Sequence, residues 1–153
     1  MTLCFTGHRP DKLSASEAEV RDRLKTAIDR SVSEGYTRFI TGMARGVDLW
    51  AGEAVLDLKA SGKSDLELVA AVPYRNVADR WPSSWRDIYR RIISEADEVH
   101  YTSEKYYRFV YISRDQWMVN NSSRVLAFYE GIPGGTEYTI NYAVSLGKEV
   151  IYI

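Results

Sequence analysis

The fold of this chain follows from one stretch, Arg38-Phe39-Ile40-Thr41-Gly42-Met43-Ala44-Arg45-Gly46-Val47-Asp48. Its apolar start is typical of a buried strand, its two glycines predict a tight turn, and a helical pattern begins at Val47. A strand that turns through glycines into a helix points backbone N–H groups and the positive end of the helix at one place. Such a corner can hold a phosphate without any lysine.

A second corner of the same kind lies near the carboxyl end of the chain. The apolar run Val125–Phe128 is followed by Pro133-Gly134-Gly135-Thr136 and then by another helical pattern. Paired glycines allow positive φ and remove side chains that would block a phosphate. Thr136 is placed to cap the helix and to donate its hydroxyl. Two such corners in one small domain predict a single ligand held from two sides, which we interpret as a nucleotide.

The rest of the chain alternates strand-like and helix-like segments. The predicted strands are Thr2–Thr6, Arg38–Thr41, Leu66–Val72, Glu98–Tyr101, Val125–Phe128 and Glu149–Ile153. The predicted helices are one that follows a capping box at Ser14–Glu17, then Val47–Ala60, an apolar stripe over Trp81–Ile92, Val110–Asn120 and Glu137–Ser145. This alternation predicts a single α/β domain over residues 1–153, a Rossmann-like three-layer sandwich with a mostly parallel sheet. Ligands of such folds bind beyond the carboxyl ends of the strands.

Composition narrows the classes of partner. The chain has 153 residues and a formal net charge of −1, which argues against a nucleic-acid partner. Cys4, which lies in an apolar run, is the only cysteine, so no disulfide can form within the chain. This favours a cytoplasmic location. No segment has the apolar length of a membrane span, so no membrane partner is expected. The two histidines and one cysteine form no cluster, so neither a metal nor another cofactor is expected.

The candidate ligand-binding residues follow the ends of the predicted strands. They are Thr6, Gly7, His8, Arg9, Gly42, Met43, Ala44, Gly46, Asp48, Pro73, Gly134, Gly135 and Thr136. Several have a structural alternative. His8 and Arg9 offer donors to phosphate or ribose, or belong to a plain turn with a surface charge. Asp48 accepts bonds from ribose hydroxyls, or stabilises the first turn of its helix through the helix dipole.

Two further groups precede the fifth strand. Arg114 has a fork of donors that suits a phosphate or a carboxylate. A polar stretch mixes aromatic and basic side chains, which would suit stacking on the bases of a single strand. It contains Tyr101, Lys105, Tyr106, Tyr107, Arg108 and Tyr111. A solvated face beside an irregular loop is the alternative that we favour.

Four motifs in order along the chain resemble the YpsA-like branch of the SLOG superfamily. They are Thr6-Gly7-His8-Arg9-Pro10, Gly42–Asp48, Arg114-x-x-Trp117-Met118-Val119 and Gly134-Gly135-Thr136. The superfamily also contains the Lonely Guy phosphoribohydrolases and DNA-processing protein A, and the resemblance runs from Thr6 to Ile153. It implies a nucleotide-derived ligand, such as an ADP-ribose or NAD relative, bound in a sensing or regulatory role. It is also compatible with a homodimer.

The resemblance leaves two alternatives. One is a nucleoside monophosphate phosphoribohydrolase that releases a free base, with Arg114 and Glu137 as catalytic residues. Lonely Guy enzymes carry a catalytic glutamate where this chain has Thr139, and a placed carboxylate assists cleavage through an oxocarbenium-like state. The other is a single-stranded DNA-binding module, which requires a basic face. The sequence does not determine which ligand is bound.

Overall fold

The computed structural model describes all residues, 1–153. The strands are β1 (Thr2–Gly7), β2 (Arg38–Thr41), β3 (Glu67–Tyr74), β4 (Glu98–Ser103), β5 (Arg124–Phe128) and β6 (Glu149–Tyr152). The α-helices are α1 (Glu17–Ser33), α2 (Val47–Ala60), α3 (Ser83–Glu95), α4 (Val110–Asn120) and α5 (Gly135–Ser145). A short 3₁₀ turn covers Pro10–Lys12 between β1 and α1.

The six strands form one sheet in the order β4-β3-β2-β1-β5-β6. Every neighbouring pair is parallel, so the predicted sheet is confirmed and has no antiparallel strand. The chain proceeds outward from β1 to β4, then crosses back to place β5 on the other side of β1. This reversal of strand order opens a crevice between the carboxyl ends of β1 and β5, the usual place for a ligand in an open α/β sheet.

Helices cover both faces of the sheet and complete the predicted three layers. Alternate residues of β1 point to opposite faces. Leu3 and Phe5 belong to a core that includes Leu24 of α1, whereas Cys4 packs in a second core with Ile140 of α5. Helices α1, α2 and α3 therefore lie on one face, and α4 and α5 lie on the other. None of the helices combines the length and apolar character needed to cross a membrane.

The predicted elements are all present, and most boundaries agree within two residues. The capping box is displaced: Ser16, not Ser14, is the N-cap of α1 and accepts the Glu19 N–H at 3.2 Å. Ser14 instead donates its backbone N–H, at 3.2 Å, and its hydroxyl to the carboxylate of Glu130 in the loop after β5. Strand β3 also continues through Pro73 to Tyr74, because its pairing with β4 extends to Ser103.

Close packing explains two of the turn glycines in this chain. A Cβ at Gly7 would lie 2.5 Å from the side chain of Val47, so the first turn of α2 sits directly against the end of β1. Gly46, the N-cap of α2, has φ 94°, and a Cβ there would lie 2.9 Å from the carbonyl oxygen of His8. The Gly42–Gly46 turn is thus held against the loop after β1.

Candidate functional site

A cavity of about 390 Å³ lies at the crevice between β1 and β5. It brings together predicted residues from four separate parts of the chain. These are Thr6, Gly7, His8, Arg9, Ala44, Asp48, Arg114, Gly134, Gly135 and Thr136. The two glycine corners therefore face one common space, with Ala44 and Asp48 on one side and Gly134 to Thr136 on the other.

A second cavity of about 180 Å³ adjoins the first and shares four of its lining residues, Arg9, Ala44, Tyr111 and Arg114. The predicted residues Met43 and Pro73 line this smaller cavity. Gly42, Gly46 and Glu137 line neither cavity. Seven residues that line the larger one are not among the predicted ligand-binding residues: Phe5, Asp11, Lys12, Tyr111, Asp115, Met118 and Pro133. Asp11 and Lys12 directly follow Thr6-Gly7-His8-Arg9-Pro10, which was the one signal available for them.

The amino terminus of α5 presents free donors to the larger cavity. Its N-cap, Gly134, has φ 147° and no side chain to cap the helix. The first amide that bonds back is that of Tyr138, to the Gly134 carbonyl at 3.0 Å. The N–H groups of residues 135–137 consequently have no partner within the protein. Lys12 approaches this end, with its Nζ 3.6 Å from where a Cβ on Gly134 would be. An anion would be stabilised here by donors, dipole and charge together.

A buried charge cluster forms the floor of the same cavity. Arg114 donates from Nε to Asp115 at 2.9 Å and from a terminal nitrogen to the Gly42 carbonyl at 2.6 Å. Asp48 accepts the Ala44 N–H at 3.3 Å through Oδ2, whereas its Oδ1 is buried without a partner. A Cβ on Gly42 would lie 2.7 Å from Asp48 Oδ2 and 3.4 Å from Arg114 Cζ. The absence of a side chain at Gly42 thus makes room for the charged groups.

Burial dominates the ionisation of this cluster. It raises the pKa of Asp48 from 3.8 to about 7, and the positive charge of Arg114 only partly opposes this. Burial also raises the pKa of Asp115, with Arg114 again acting in the opposite direction. Near neutral pH, Asp48 is therefore poised between its charged and uncharged forms, and a ligand group can shift that balance.

His8 joins loops instead of offering a positive charge. Its ring is buried, and Nε2 accepts the backbone N–H of Glu130 at 3.0 Å, so this nitrogen carries no proton. Burial lowers the pKa of His8, although the Glu130 carboxylate opposes the effect. Because Glu130 also accepts from Ser14, the loops after β1 and β5 and the segment before α1 are joined at one edge of the cavity.

The two candidate catalytic residues are not brought together. Arg114 lines both cavities, but Glu137 points to the Tyr129 hydroxyl, which donates to its carboxylate at 2.5 Å. Thr139, at the position of the Lonely Guy glutamate, donates to the Gly135 carbonyl at 2.9 Å, a bond internal to α5. The carboxylates nearest Arg114 are instead Asp115 and Asp48. No group of three or more histidine, cysteine, aspartate or glutamate side chains is arranged to hold a metal ion.

The fold and the cavity define a doubly wound α/β protein with a polar cavity at its switch point. The model of the YspA SLOG family matches residues 3–152, and the chain belongs to that family. Among its relatives are UPF0398 proteins of Bacillus thuringiensis (strain Al Hakam) and Bacillus cereus (strain Q1). Each is 25% identical over 155 residues, which cover 95% of this chain and 84% of the relative.

Solved structures share the fold. DNA processing protein A from Streptococcus pneumoniae superposes with a TM-score of 0.69 at 17% identity, over 99% of this chain and 49% of that one. The Helicobacter pylori protein of the same name gives 0.71 at 15% identity, over 99% of this chain and 64% of that one. A protein designated TM1055 gives 0.62 at 18% identity, over 97% and 71%. The chain thus spans about half to two thirds of the two DNA processing proteins.

These neighbours correct one prediction. The argument against a nucleic-acid partner was wrong, because the Helicobacter pylori structure is described as giving insights into a single-stranded DNA binding mode. The argument rested on a formal net charge of −1, which is a sum over the whole chain. A local surface can be basic while such a sum is close to zero.

Proposed function

We propose that this protein binds a nucleotide or a nucleotide-derived small molecule, such as an ADP-ribose or NAD relative, in a sensing or regulatory role. The observation that carries the proposal is the convergence of anion-binding groups on the larger cavity. The uncapped amino terminus of α5 faces it, and so do Arg9 and Lys12, neither of which is engaged in an ion pair. A phosphate or pyrophosphate would satisfy all of these groups at once.

Asp48 gives independent support for a ligand with hydroxyl groups. Its Oδ1 is buried and unpartnered, which is costly for a carboxyl group unless a donor arrives. Asp48 lines the same cavity as the α5 amino terminus. The hydroxyls of a ribose attached to the bound phosphate would supply the donors that Oδ1 lacks.

Binding without hydrolysis is better supported than the phosphoribohydrolase alternative. The candidate acid Glu137 lies outside both cavities and is bonded to Tyr129. Arg114 already uses two of its donors within the protein, on Asp115 and on the Gly42 carbonyl. These bonds suit a positioning role for Arg114 under the ligand.

Isothermal titration with ADP-ribose, NAD and AMP tests the proposal. We expect the double variant Arg9→Ala/Lys12→Ala to weaken binding at least tenfold, since each charge-assisted bond contributes about 1.5–3 kcal/mol. Lys63→Ala is the matched control, because Lys63 is an exposed lysine in the loop before β3, away from both cavities. Failure of all three nucleotides to bind the unaltered protein would refute the proposal. Free base in the recovered AMP sample would favour the hydrolase instead.

A second candidate function, single-stranded DNA binding, is favoured by one surface. Tyr106, Tyr107 and Phe109 are 61%, 42% and 54% exposed, in the same loop as Lys105 and Arg108. Tyr106 packs against the cavity-lining Tyr111, with ring centroids 6.4 Å apart. Exposed rings beside cations suit the stacking of successive bases. This surface continues outward from the two cavities.

Fluorescence anisotropy with a labelled oligothymidine tests the second candidate. We expect binding that weakens with salt and falls severalfold in Tyr106→Ala. Tyr152→Ala is the matched control, because Tyr152 is 60% exposed on the distant edge strand β6. Equal effects of the two substitutions, or no binding at low salt, would count against this function.

A further inference from the structure

We propose that the smaller cavity is a subsite for one flat aromatic ring, the nucleobase of a ligand whose phosphate lies in the larger cavity. The inference rests on the proposed nucleotide binding and adds to it the orientation of the ligand. Phosphate is directed to the amino terminus of α5, and the base is directed away from it, towards the end of β3 and the segment before α3.

The smaller cavity is lined by aromatic and apolar side chains together with three arginines. Pro73 and Tyr74, at the end of β3, form one side, and Trp81 and Tyr111 contribute rings. The rings of Tyr74 and Tyr111 meet edge to face, at 75° with centroids 6.2 Å apart. Rings arranged in this way make a corner into which a planar group packs by stacking on one face and by edge contact on another.

Arginine side chains also line the smaller cavity. The Arg45 guanidinium lies 5.6 Å from the centre of the Trp81 ring, and Arg9 lines both cavities. Neither arginine forms an ion pair. Planar guanidinium groups stack on rings and donate to ring nitrogens and carbonyl oxygens. A nucleobase offers both a π face and such acceptors, whereas an aliphatic group offers neither.

Size and continuity support a ring as the occupant. At about 180 Å³ the cavity is smaller than the roughly 300–1,000 Å³ of sites that enclose a whole drug-sized ligand. It shares Arg9, Ala44, Tyr111 and Arg114 with the larger cavity, so one molecule can extend through both. The compact part of that molecule then lies among the aromatic rings, and its anionic part lies at the helix terminus.

The backbone at Met43 is held in an unusual conformation at this place. Met43 has φ 62°, the one non-glycine residue of the chain with positive φ, and it is buried. A non-glycine residue is disfavoured in the left-handed region, so the surrounding packing must hold it there. The Met43 side chain packs in the hydrophobic core, and the residue lines the smaller cavity from that side.

Calorimetric titration of the unaltered protein and of Val77→Phe with AMP and ribose 5-phosphate tests the subsite. Val77 lines only the smaller cavity, so a phenyl group there fills it and leaves the larger one open. We expect AMP to bind the unaltered protein about tenfold more tightly than ribose 5-phosphate, because stacking of one base accounts for about that factor. In Val77→Phe the affinity for AMP should fall to that for ribose 5-phosphate, which should not change.

Equal affinities for the two ligands in the unaltered protein, or a preference for AMP that survives Val77→Phe, would overturn the subsite alone. Failure of both ligands to bind the unaltered protein would overturn the proposed nucleotide binding as well. If Val77→Phe does not fold, tryptophan fluorescence tests whether the base occupies the smaller cavity. AMP should quench emission in the unaltered protein and in the control Trp85→Phe, but not in Trp81→Phe, and quenching that persists in Trp81→Phe refutes the subsite.

Discussion

Replacement of Asp48 by asparagine measures the energetic cost of the carboxylate beneath the cavity. Asp48 is 6% exposed, and its buried Oδ1 has no partner. Burial raises the pKa of this carboxyl from 3.8 to about 7. Between those pH values the folded protein holds a proton on Asp48 that the unfolded chain has released. The resulting stabilisation is fully present below about pH 4 and is lost as the pH rises through about 7.

The magnitude follows from the width of that window. One pKa unit corresponds to about 1.4 kcal/mol, so the window from 3.8 to about 7 represents on the order of 4 kcal/mol of unfolding free energy. Asparagine has nearly the same shape and keeps an oxygen that can accept the Ala44 N–H, now 3.3 Å from Asp48 Oδ2. It does not ionise. The stability of Asp48→Asn relative to the unaltered protein should therefore rise as the pH rises.

Urea denaturation at pH 5 and pH 8 is the assay. The part of this effect that falls between pH 5 and about 7 amounts to about 3 kcal/mol. From pH 5 to pH 8, the unfolding free energy of Asp48→Asn should therefore rise by about that amount relative to that of the unaltered protein. Asp65→Asn, at an exposed loop position, controls for the chemical change itself. A stability difference that is the same at both pH values would show that Asp48 is ionised throughout, and would refute the reasoning.

Other predictions concern packing and a buried cation. Gly7→Ala places a Cβ 2.5 Å from the Val47 side chain and should destabilise the protein by about 1–3 kcal/mol. The control is Gly135→Ala, whose Cβ meets no atom within 4 Å and should leave the melting temperature nearly unchanged. Arg124 is 8% exposed, bridges the carboxylates of Glu34, just after α1, and Glu149 in β6, and lies 4.4 Å from the centre of the Tyr36 ring. Arg124→Lys, which lacks the planar fork, should lower the urea midpoint by an amount equivalent to about 1–2 kcal/mol, and an unchanged midpoint would contradict this.

Local pattern was enough to predict the elements of this fold and their arrangement as a parallel sheet. Helix α2 and strand β2 begin and end where the sequence predicts, because apolar periodicity and glycine punctuation act within a few residues of the chain. The alternation of strand and helix then leaves few ways to cover a sheet on both faces. The convergence of the two glycine corners follows from the same rule, since the carboxyl ends of parallel strands share one edge.

Contacts between distant parts of the chain determined the cap of α1 and the charge cluster beneath the cavity, which local pattern did not predict. Ser14 and Ser16 are each followed three residues later by a glutamate, and the Glu130 carboxylate, 116 residues from Ser14, determined which serine caps the helix. In the same way, nothing near Asp115 indicates that it pairs with Arg114 beneath a cavity. Whether a polar side chain ends in solvent, in an ion pair or in a binding site depends on what the fold brings next to it, and this is a property of the assembled tertiary structure.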